Sequence, residues 1–478
     1  MADLVAELRA VVGEANVLVA KDDLAPFLTD WLGAFHGAAR AVVKPGSTQE
    51  VADVLRVCAR HGAPVVPQGG VTSMSGGATP DASGHAVVVS LKRMNRVRAI
   101  DPIGNTISVD AGVVLARVQE AAQEAGRFFP LSLGAEGSCT IGGNLAANAG
   151  GVAVLRFGTM RELTLGLEVV LADGRVWDGM TALRKDNSGY ALRDLFIGSE
   201  GTLGVITGAV LKLFAQRPAR AAAFVAVEDA PAALALLATM QARCGDRLTA
   251  FEFMTEACLS LILRHIADAR LPLAAMPPAA VLIELSDQDE DGALRARLET
   301  ALGEEIEAGR ALDAAIAQDT KQARAFWRIR EGVSEALVRE GKAAKHDVSM
   351  PVSAMAEFLA AANAAVLAAA PGVRPIVFGH LGDGNLHYNL LHAQGQDKAA
   401  FAAVAPELTR IVHEEIVRRR GSISAEHGIG QLRVGEMPLR KAPLDLELMA
   451  RLKQALDPDG LLNPGKLLPP PTPARRHA

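Results

Sequence analysis

The chain has 478 residues, 50% of them hydrophobic and 22% charged, with a formal net charge of -5 and a pI near 6.2. That length suits two or three domains with sizeable cores, and the composition excludes a largely disordered chain. An acidic balance, aromatics at only 4% and the lack of a basic stripe exclude a nucleic-acid binder and favour small-molecule chemistry. The cysteines Cys58, Cys139, Cys244 and Cys258 are scattered without C-x-x-C spacing, so neither a disulfide framework nor a thiolate metal cage is expected, and a reducing cytoplasm is the expected location. The opening MADLVAELRAVVGEANVL carries acidic residues and an amphipathic period in place of a basic n-region, and no run of about 18 uncharged apolar residues occurs. Neither export nor a transmembrane segment is expected.

After a short helical start, ARAVVKPGSTQEVADVLRVCARHGAPVVPQGG reads strand, turn, helix, strand. Ser47 and Glu50 have capping-box spacing, and Val51, Val54, Leu55 and Cys58 follow the helical period. From there to Arg217, short β-rich runs (AVVVSL, TISVDAG, LTLGLEVVLADGRVW, GVITGAVLKLF) alternate with helical pieces and glycine-rich loops. Residues 1–217 are expected to form an α+β domain. Composition then shifts to alanine-rich helices separated by strands (AAAFVAVED, AVLIELSD, KHDVSMPV), which predicts a second α+β domain over 218–420. The segment 421–478 reads as a loop, a helix and a Pro/Gly stop, with a disordered proline-rich tail from about 469.

Three loops carry the chemistry of the first domain. PVVPQGGVTSMSGGATP follows a strand directly, and its exposed N–H groups and close-approaching glycines suit an oxyanion. It has neither a Walker G-K-[ST] nor a dinucleotide G-x-G-x-x-G. LGAEGSCTIGGNLAANAGG repeats the pattern with Asn144 and Asn148 added, and KDNSGYALRDLFIGSEGTLGVIT supplies a third cluster of small residues. Three such loops in series predict a large, extended cofactor.

In the second domain, FGHLGDGNLHYN places β-rich flanks around turn residues and reads as a hairpin. With Leu381 to Leu386 as the loop, His380 faces His387 directly, and Asn389 shares their side. From this stretch alone, half a metal site and a polar hairpin with surface histidines are equally good readings.

In order, P-Q-G-G, G-S-C-x-I-G-G-N-x-A-x-N-A-G-G, K-D-N-[ST]-G-Y-x-L-x-x-L-F-I-G-S-E-G-T-L-G, GHLGDGNLH, GSISAEHGIG and LDPDGLLNPGK resemble the vanillyl-alcohol oxidase and p-cresol methylhydroxylase flavoproteins over nearly the whole chain. Within them the chain is most similar to the D-2-hydroxyglutarate dehydrogenases. The resemblance implies a p-cresol methylhydroxylase-type FAD-binding domain, an α+β cap carrying the substrate, and a C-terminal segment returning to the flavin. Carried over by motif, Gln68, Gly69, Gly70, Thr72 and Ser73 hold the pyrophosphate. Gly134, Ser138, Gly142, Gly143, Asn148, Gly151 and Ile206 line the cofactor, and Asn463 approaches its ring. Val71 stands where relatives commonly have Asn, and Ser73 and Ser75 replace their Gly and Val. The first loop has no histidine for a covalent flavin link, so FAD is expected to be non-covalent.

The resemblance also favours the metal reading of the hairpin, with His380, His387 and Glu426 as ligands of a divalent ion. Zn²⁺ is expected first, with Mn²⁺ and Co²⁺ as alternatives for a set that lacks thiolate. His427, beside Glu426, is the expected general base. Arg330, Ser334, Lys345, Asn389 and His427 are the expected substrate contacts. The implied reaction oxidises a D-2-hydroxy acid to a 2-oxo acid, D-2-hydroxyglutarate first and D-malate second. D-lactate or glycolate oxidation, metal-dependent hydrolysis and a non-catalytic flavin-binding subunit are the rivals. The electron acceptor stays open between another flavoprotein, such as an electron-transfer flavoprotein, and a quinone, and the resemblance implies a homodimer.

Overall fold

The computed structural model describes residues 3–288, 291–393, 395 and 398–469, so the proline-rich tail from 470 lies outside the described residues. The chain divides into two compact units. The first comprises Met1–Gly150, Gly158–Ala215 and Glu426–Ala478, and the second Gly151–Phe157 and Gln216–Ala425.

In the first unit, strands Val17–Leu18, Ala41–Val43, Val87–Ser90 and Val65–Gln68 form a four-stranded sheet in that spatial order. Ala41–Val43 and Val65–Gln68 both run parallel to Val87–Ser90, which therefore separates them. The helix between those two flanking strands, Thr48–His61, is built as the sequence predicts. Ser47 accepts a hydrogen bond from Glu50 N at 3.1 Å, Gly62 closes the helix at φ 59°, and Val51, Val54, Leu55 and Cys58 are buried. Glu50 Oε2 reaches back one residue beyond the cap, accepting from Gly46 N at 2.8 Å. A separate five-stranded antiparallel sheet orders Val97–Asp101, Thr106–Asp110, Val205–Lys212, Thr164–Val170 and Val176–Gly179.

The second unit is organised by a seven-stranded antiparallel sheet, in the order Asp313–Ile316, Ala219–Val227, Ala279–Asp287, Leu248–Thr255, Arg374–His380, Asn385–Leu391, Ala343–Ser349. Helices Glu256–His265, Thr320–Glu331 and Val333–Glu340 cover one face, packing Leu259, Ile262, Phe326, Ile329 and Leu337 against Phe224, Met254, Leu282 and Phe378. Ala230–Cys244, Met355–Ala369 and Lys398–Arg418 pack on one another and serve the other face, where Phe358 meets Tyr388 edge-on at 5.6 Å. Among the described residues one segment, Val352–Ala369, is by length and composition apolar enough to cross a membrane. It contains Glu357, so the expected lack of an uncharged run still holds, and its Phe358, Leu359, Ala362 and Val366 are buried against the unit's own core.

Candidate active site

The glycine loops of the first unit pack on each other. A Cβ on Gly69 would lie 2.2 Å from Thr140 Oγ1, and one on Gly70 only 2.1 Å from the Ser138 carbonyl, so neither position admits a side chain. Gly142 is as tight, its Cβ position 2.8 Å from that of Ala111, whereas Gly143 would only brush Thr140 and Gly134 has open space. Around these loops, among the described residues, three buried polar atoms have no hydrogen-bond partner: Gln68 Oε1, Thr140 Oγ1 and Asn463 Oδ1. Each belongs to a residue otherwise fixed in place. Gln68 Nε2 donates to the carbonyls of Phe27 and Ala78, both at 2.9 Å, and Asn463 Nδ2 donates to Gly77 O at 2.9 Å and Glu200 O at 2.7 Å. Buried acceptors left open cost stability unless a donor arrives, and the hydroxyl and N–H groups of FAD supply such donors. The residues present fit the cofactor.

Not every expected cofactor residue has its side chain available. Asn148, at φ 51°, accepts from Thr159 Oγ1 at 2.9 Å and Arg161 N at 3.0 Å, which makes it a local brace. Ile206 is buried in strand Val205–Lys212 beside a register shift. Ser138 is exposed, Thr72 and Ser73 lie in an irregular stretch, and Gly151 belongs to the second unit. Val71 takes φ 60°, a left-handed conformation that a β-branched residue adopts only under strain.

The loop carrying Glu426 and His427 belongs to the first unit. Ser75 Oγ lies 3.1 Å from His427 O and 3.0 Å from Gly428 O, and the carboxylate of Glu200 accepts from Ile429 N and Gly430 N, both at 2.7 Å. Burial raises the Glu200 carboxyl pKa, against the lowering effect of those two N–H donors.

In the second unit, strand register gathers the other expected residues on one sheet face. Phe378 pairs with His387, Ile376 with Asn389, Glu252 with His380, Lys345 with Asn389 and Asp347 with His387. The expected direct pairing of His380 with His387 is therefore corrected. The turn is Leu381–Gly384, two residues shorter than predicted, and His387 faces Phe378. Because side chains alternate with period two, a shift of two keeps the face. The His380 and His387 rings stand 5.6 Å apart, and His387 packs on Phe378 at 4.8 Å.

Glu252 was not anticipated, and it organises this face. It is 1% exposed and bridges His380 Nδ1 at 2.7 Å and Arg330 Nε at 2.6 Å. Burial alone would raise its pKa, but His380 and Arg330 outweigh that and hold the carboxyl well below the usual range. An ionised Glu252 makes His380 Nδ1 the donor and leaves Nε2 to act as a ligand, the arrangement by which a carboxylate orients a metal-binding imidazole. Asp347 stands 3.7 Å from His387 Nδ1, beyond hydrogen-bond distance, and accepts from Asn385 Nδ2 at 2.9 Å. Donor set and orientation fit a divalent ion. Asp347 also accepts from Ala425 N at 3.2 Å, and Glu426 and His427 follow Ala425 directly in the chain.

Arg330 is 8% exposed and lies over the Phe378 ring at 4.7 Å, whereas its neighbour Arg328 makes only surface ion pairs with Asp268 and Glu335. Lys345 is exposed, although desolvation lowers its ammonium pKa; Asn389, across the ladder, is buried, and Ser334 is exposed on its helix.

Two family profiles match the chain. One described as FAD linked oxidases, C-terminal domain, covers residues 216–467, and one described as FAD binding domain covers 39–179. A relative from Oryza sativa subsp. japonica named probable D-2-hydroxyglutarate dehydrogenase, mitochondrial, is 39% identical over 98% of this chain and 82% of its own length. The chain belongs to the FAD-linked oxidase family. A Xanthomonas citri pv. viticola D-2-hydroxyglutarate dehydrogenase is also 39% identical, over 93% of this chain and 92% of its own. The structure of p-cresol methylhydroxylase with substrate bound superposes with a TM-score of 0.72 at 18% identity, covering 97% of this chain and 96% of that one, and it shares the fold. The chain is thus a flavoprotein oxidoreductase with the α+β architecture its motifs imply. The expected cytoplasmic location is overturned, because the relatives from Oryza sativa subsp. japonica, Arabidopsis thaliana and Bos taurus are named mitochondrial. The scattered cysteines that suggested a cytoplasm do not distinguish one compartment from another.

Proposed function

We propose that the chain oxidises a D-2-hydroxy dicarboxylate to the corresponding 2-oxo acid, with D-2-hydroxyglutarate the preferred substrate and D-malate second. FAD is held without a covalent link by the glycine loops of the first unit, and the second unit carries the substrate. The observation that carries this reading is the sheet face on which His380, His387, Asn389 and Lys345 share one side, with Arg330 held beside them by Glu252.

His380 and His387, joined by Glu426, are assigned as ligands of a divalent ion, Zn²⁺ first. When bound, the ion polarises the substrate's α-hydroxyl and FAD accepts the hydride equivalent from its α-carbon. His427 removes the hydroxyl proton, so the substrate loses one proton and one hydride and its C–O bond becomes C=O. Asn389 and Lys345 hold carboxylate oxygens, and Ser334 is assigned a further contact. Arg330 has one guanidinium edge committed to Glu252, so its contribution is a fixed positive charge with the other edge turned to substrate. Electrons leave to an electron-transfer flavoprotein or a quinone.

Lys345→Ala tests the substrate class, because it removes a cation without touching the Glu252 bridge. It should lower kcat/KM for D-2-hydroxyglutarate by about 30-fold or more, the scale of losing one partner of a charge pair that substrate binding buries, while D-lactate, without a distal carboxylate, loses far less. Equal losses for both acids, or a wild-type preference for D-lactate, would remove the dicarboxylate assignment.

A further inference from the structure

We propose that Glu200 is a positioning residue for the reaction: its carboxylate fixes the backbone just beyond His427, so that the imidazole stands where it can take the substrate's proton. The inference rests on the reading of His427 as general base. The loop from Glu426 to Gly430 contains no helix or strand and needs left-handed backbone at Gly428 (φ 76°) and Gly430 (φ 50°). Such a loop does not hold an imidazole to within a fraction of an ångström unless something pins it. Two anchors flank the His427 peptide. Ser75 Oγ shares its one proton between the carbonyls of His427 and Gly428, and Ser75 O accepts from Gln431 N at 2.9 Å. Glu200 holds the far side as a fork, with one oxygen on each of two consecutive N–H groups. Hydrogen bonds to a carboxylate are about twice as strong as neutral ones, and two parallel ones fix orientation as well as distance.

Glu200 itself is bent to this purpose. Its φ of 52° is unfavourable for a residue with a side chain, and it is held there from both sides, by Glu200 N donating to Ala146 O at 2.8 Å and by Asn463 Nδ2 on its carbonyl. Gly428 is required for the same approach, since a Cβ there would lie 3.0 Å from Glu200 Oε1. Glutamine cannot replace the fork: it offers one acceptor to two donors and turns an NH₂ against the second N–H.

The test is a double-mutant cycle on the FAD- and metal-loaded full chain, reading anaerobic flavin reduction at saturating D-2-hydroxyglutarate in wild type, Glu200→Gln, His427→Ala and the double variant. Glu200→Gln should slow reduction by about 30- to 100-fold, the scale of a 1 Å misplacement, with FAD content, metal content and KM within about 2-fold of wild type. In the His427→Ala background the same substitution should change the rate by less than about 3-fold, because there is no imidazole left to misplace. Equal losses in both backgrounds, or FAD or metal loss that tracks the rate, would overturn the proposal in favour of a structural or cofactor-binding role. Glu200→Asp keeps the charge, and should fall between wild type and Glu200→Gln; it replaces Glu200→Gln in the cycle if that variant does not accumulate folded. If His427→Ala alone reduces flavin at the wild-type rate, the base assignment fails; if His427→Ala is slowed while Glu200→Gln reduces flavin at the wild-type rate, only the positioning role fails.

Discussion

Glu252→Gln is the sharpest perturbation of the second unit, because it changes charge without changing shape. Glu252 accepts from His380 Nδ1 and Arg330 Nε, and the side chains of Glu252 and Arg330 are 1% and 10% exposed. An amide has one acceptor for these two donors. The stronger claim is that of the Arg330 guanidinium, which cannot give up its proton, so the amide oxygen turns to Arg330 and the NH₂ faces His380. His380 must then accept at Nδ1 and carry its proton on Nε2, the nitrogen assigned to the metal. Two consequences follow. Losing one charge-assisted bond and uncovering a buried cation should cost about 3 kcal/mol of the second unit's stability. Metal affinity should fall about 10- to 100-fold, the usual effect of removing the carboxylate behind a ligating histidine. Urea unfolding followed by Trp327 fluorescence, in a background with Trp31 and Trp177 replaced, reads the first, and competition of Zn²⁺ against a chromophoric chelator reads the second. Unchanged Zn²⁺ affinity in a folded Glu252→Gln protein would refute the tautomer argument, whatever happened to turnover.

Three further outcomes are expected. Val71→Asn, which relieves a β-branched residue at φ 60°, should stabilise the FAD-loaded first unit by about 1 kcal/mol in urea unfolding read by flavin fluorescence, and a destabilised variant would mean the strain is absent. Glu340 is held down to about 2, by His265 foremost and by Arg374 and Arg264, against burial. Its folded-state value lies below its unfolded one, so its contribution is present above about 4.5 and lost as pH falls toward about 2. After allowance for solvent screening, Glu340→Gln should cost about 1–2 kcal/mol at pH 7 and less than half that at pH 3, and a pH-independent difference would contradict the ion-pair account. Acid precipitation should leave the pellet colourless and the flavin in the supernatant, whereas a yellow pellet would indicate a covalent link.

What could be read from the sequence was what repeats locally. The helix Thr48–His61 announces itself through Ser47, Glu50 and the apolar period that follows them, and the glycine loops through their density. The hairpin was legible to within its turn: face survives a register error of two, so His380, His387 and Asn389 were grouped correctly although the pairing was not. Glu252 was missed because its partners are distant in sequence, and it sits in the apolar run LTAFEFMT, where strand propensity masks a single charge. An acid inside such a run was the one available signal, since burial of an unpaired carboxylate is costly. Arg330 and Arg328 look alike on a helix surface, and only the three-dimensional position of Glu252 and Phe378 decides that one is buried and the other is not. Glu200 hid in a glycine motif that reads as backbone chemistry, whereas its side chain holds the His427 loop.

Whether this flavoprotein takes electrons from a D-2-hydroxy dicarboxylate is decided by anaerobic mixing of the metal-loaded holoenzyme with D-2-hydroxyglutarate, its L-enantiomer and D-lactate, followed by flavin absorbance. D-2-hydroxyglutarate should bleach the flavin rapidly, D-lactate more slowly and the L-enantiomer not at all, with the rate for D-2-hydroxyglutarate slowed when its C2 hydrogen is deuterium. Flavin that stays oxidised with D-2-hydroxyglutarate while another acid bleaches it would contradict the dicarboxylate assignment.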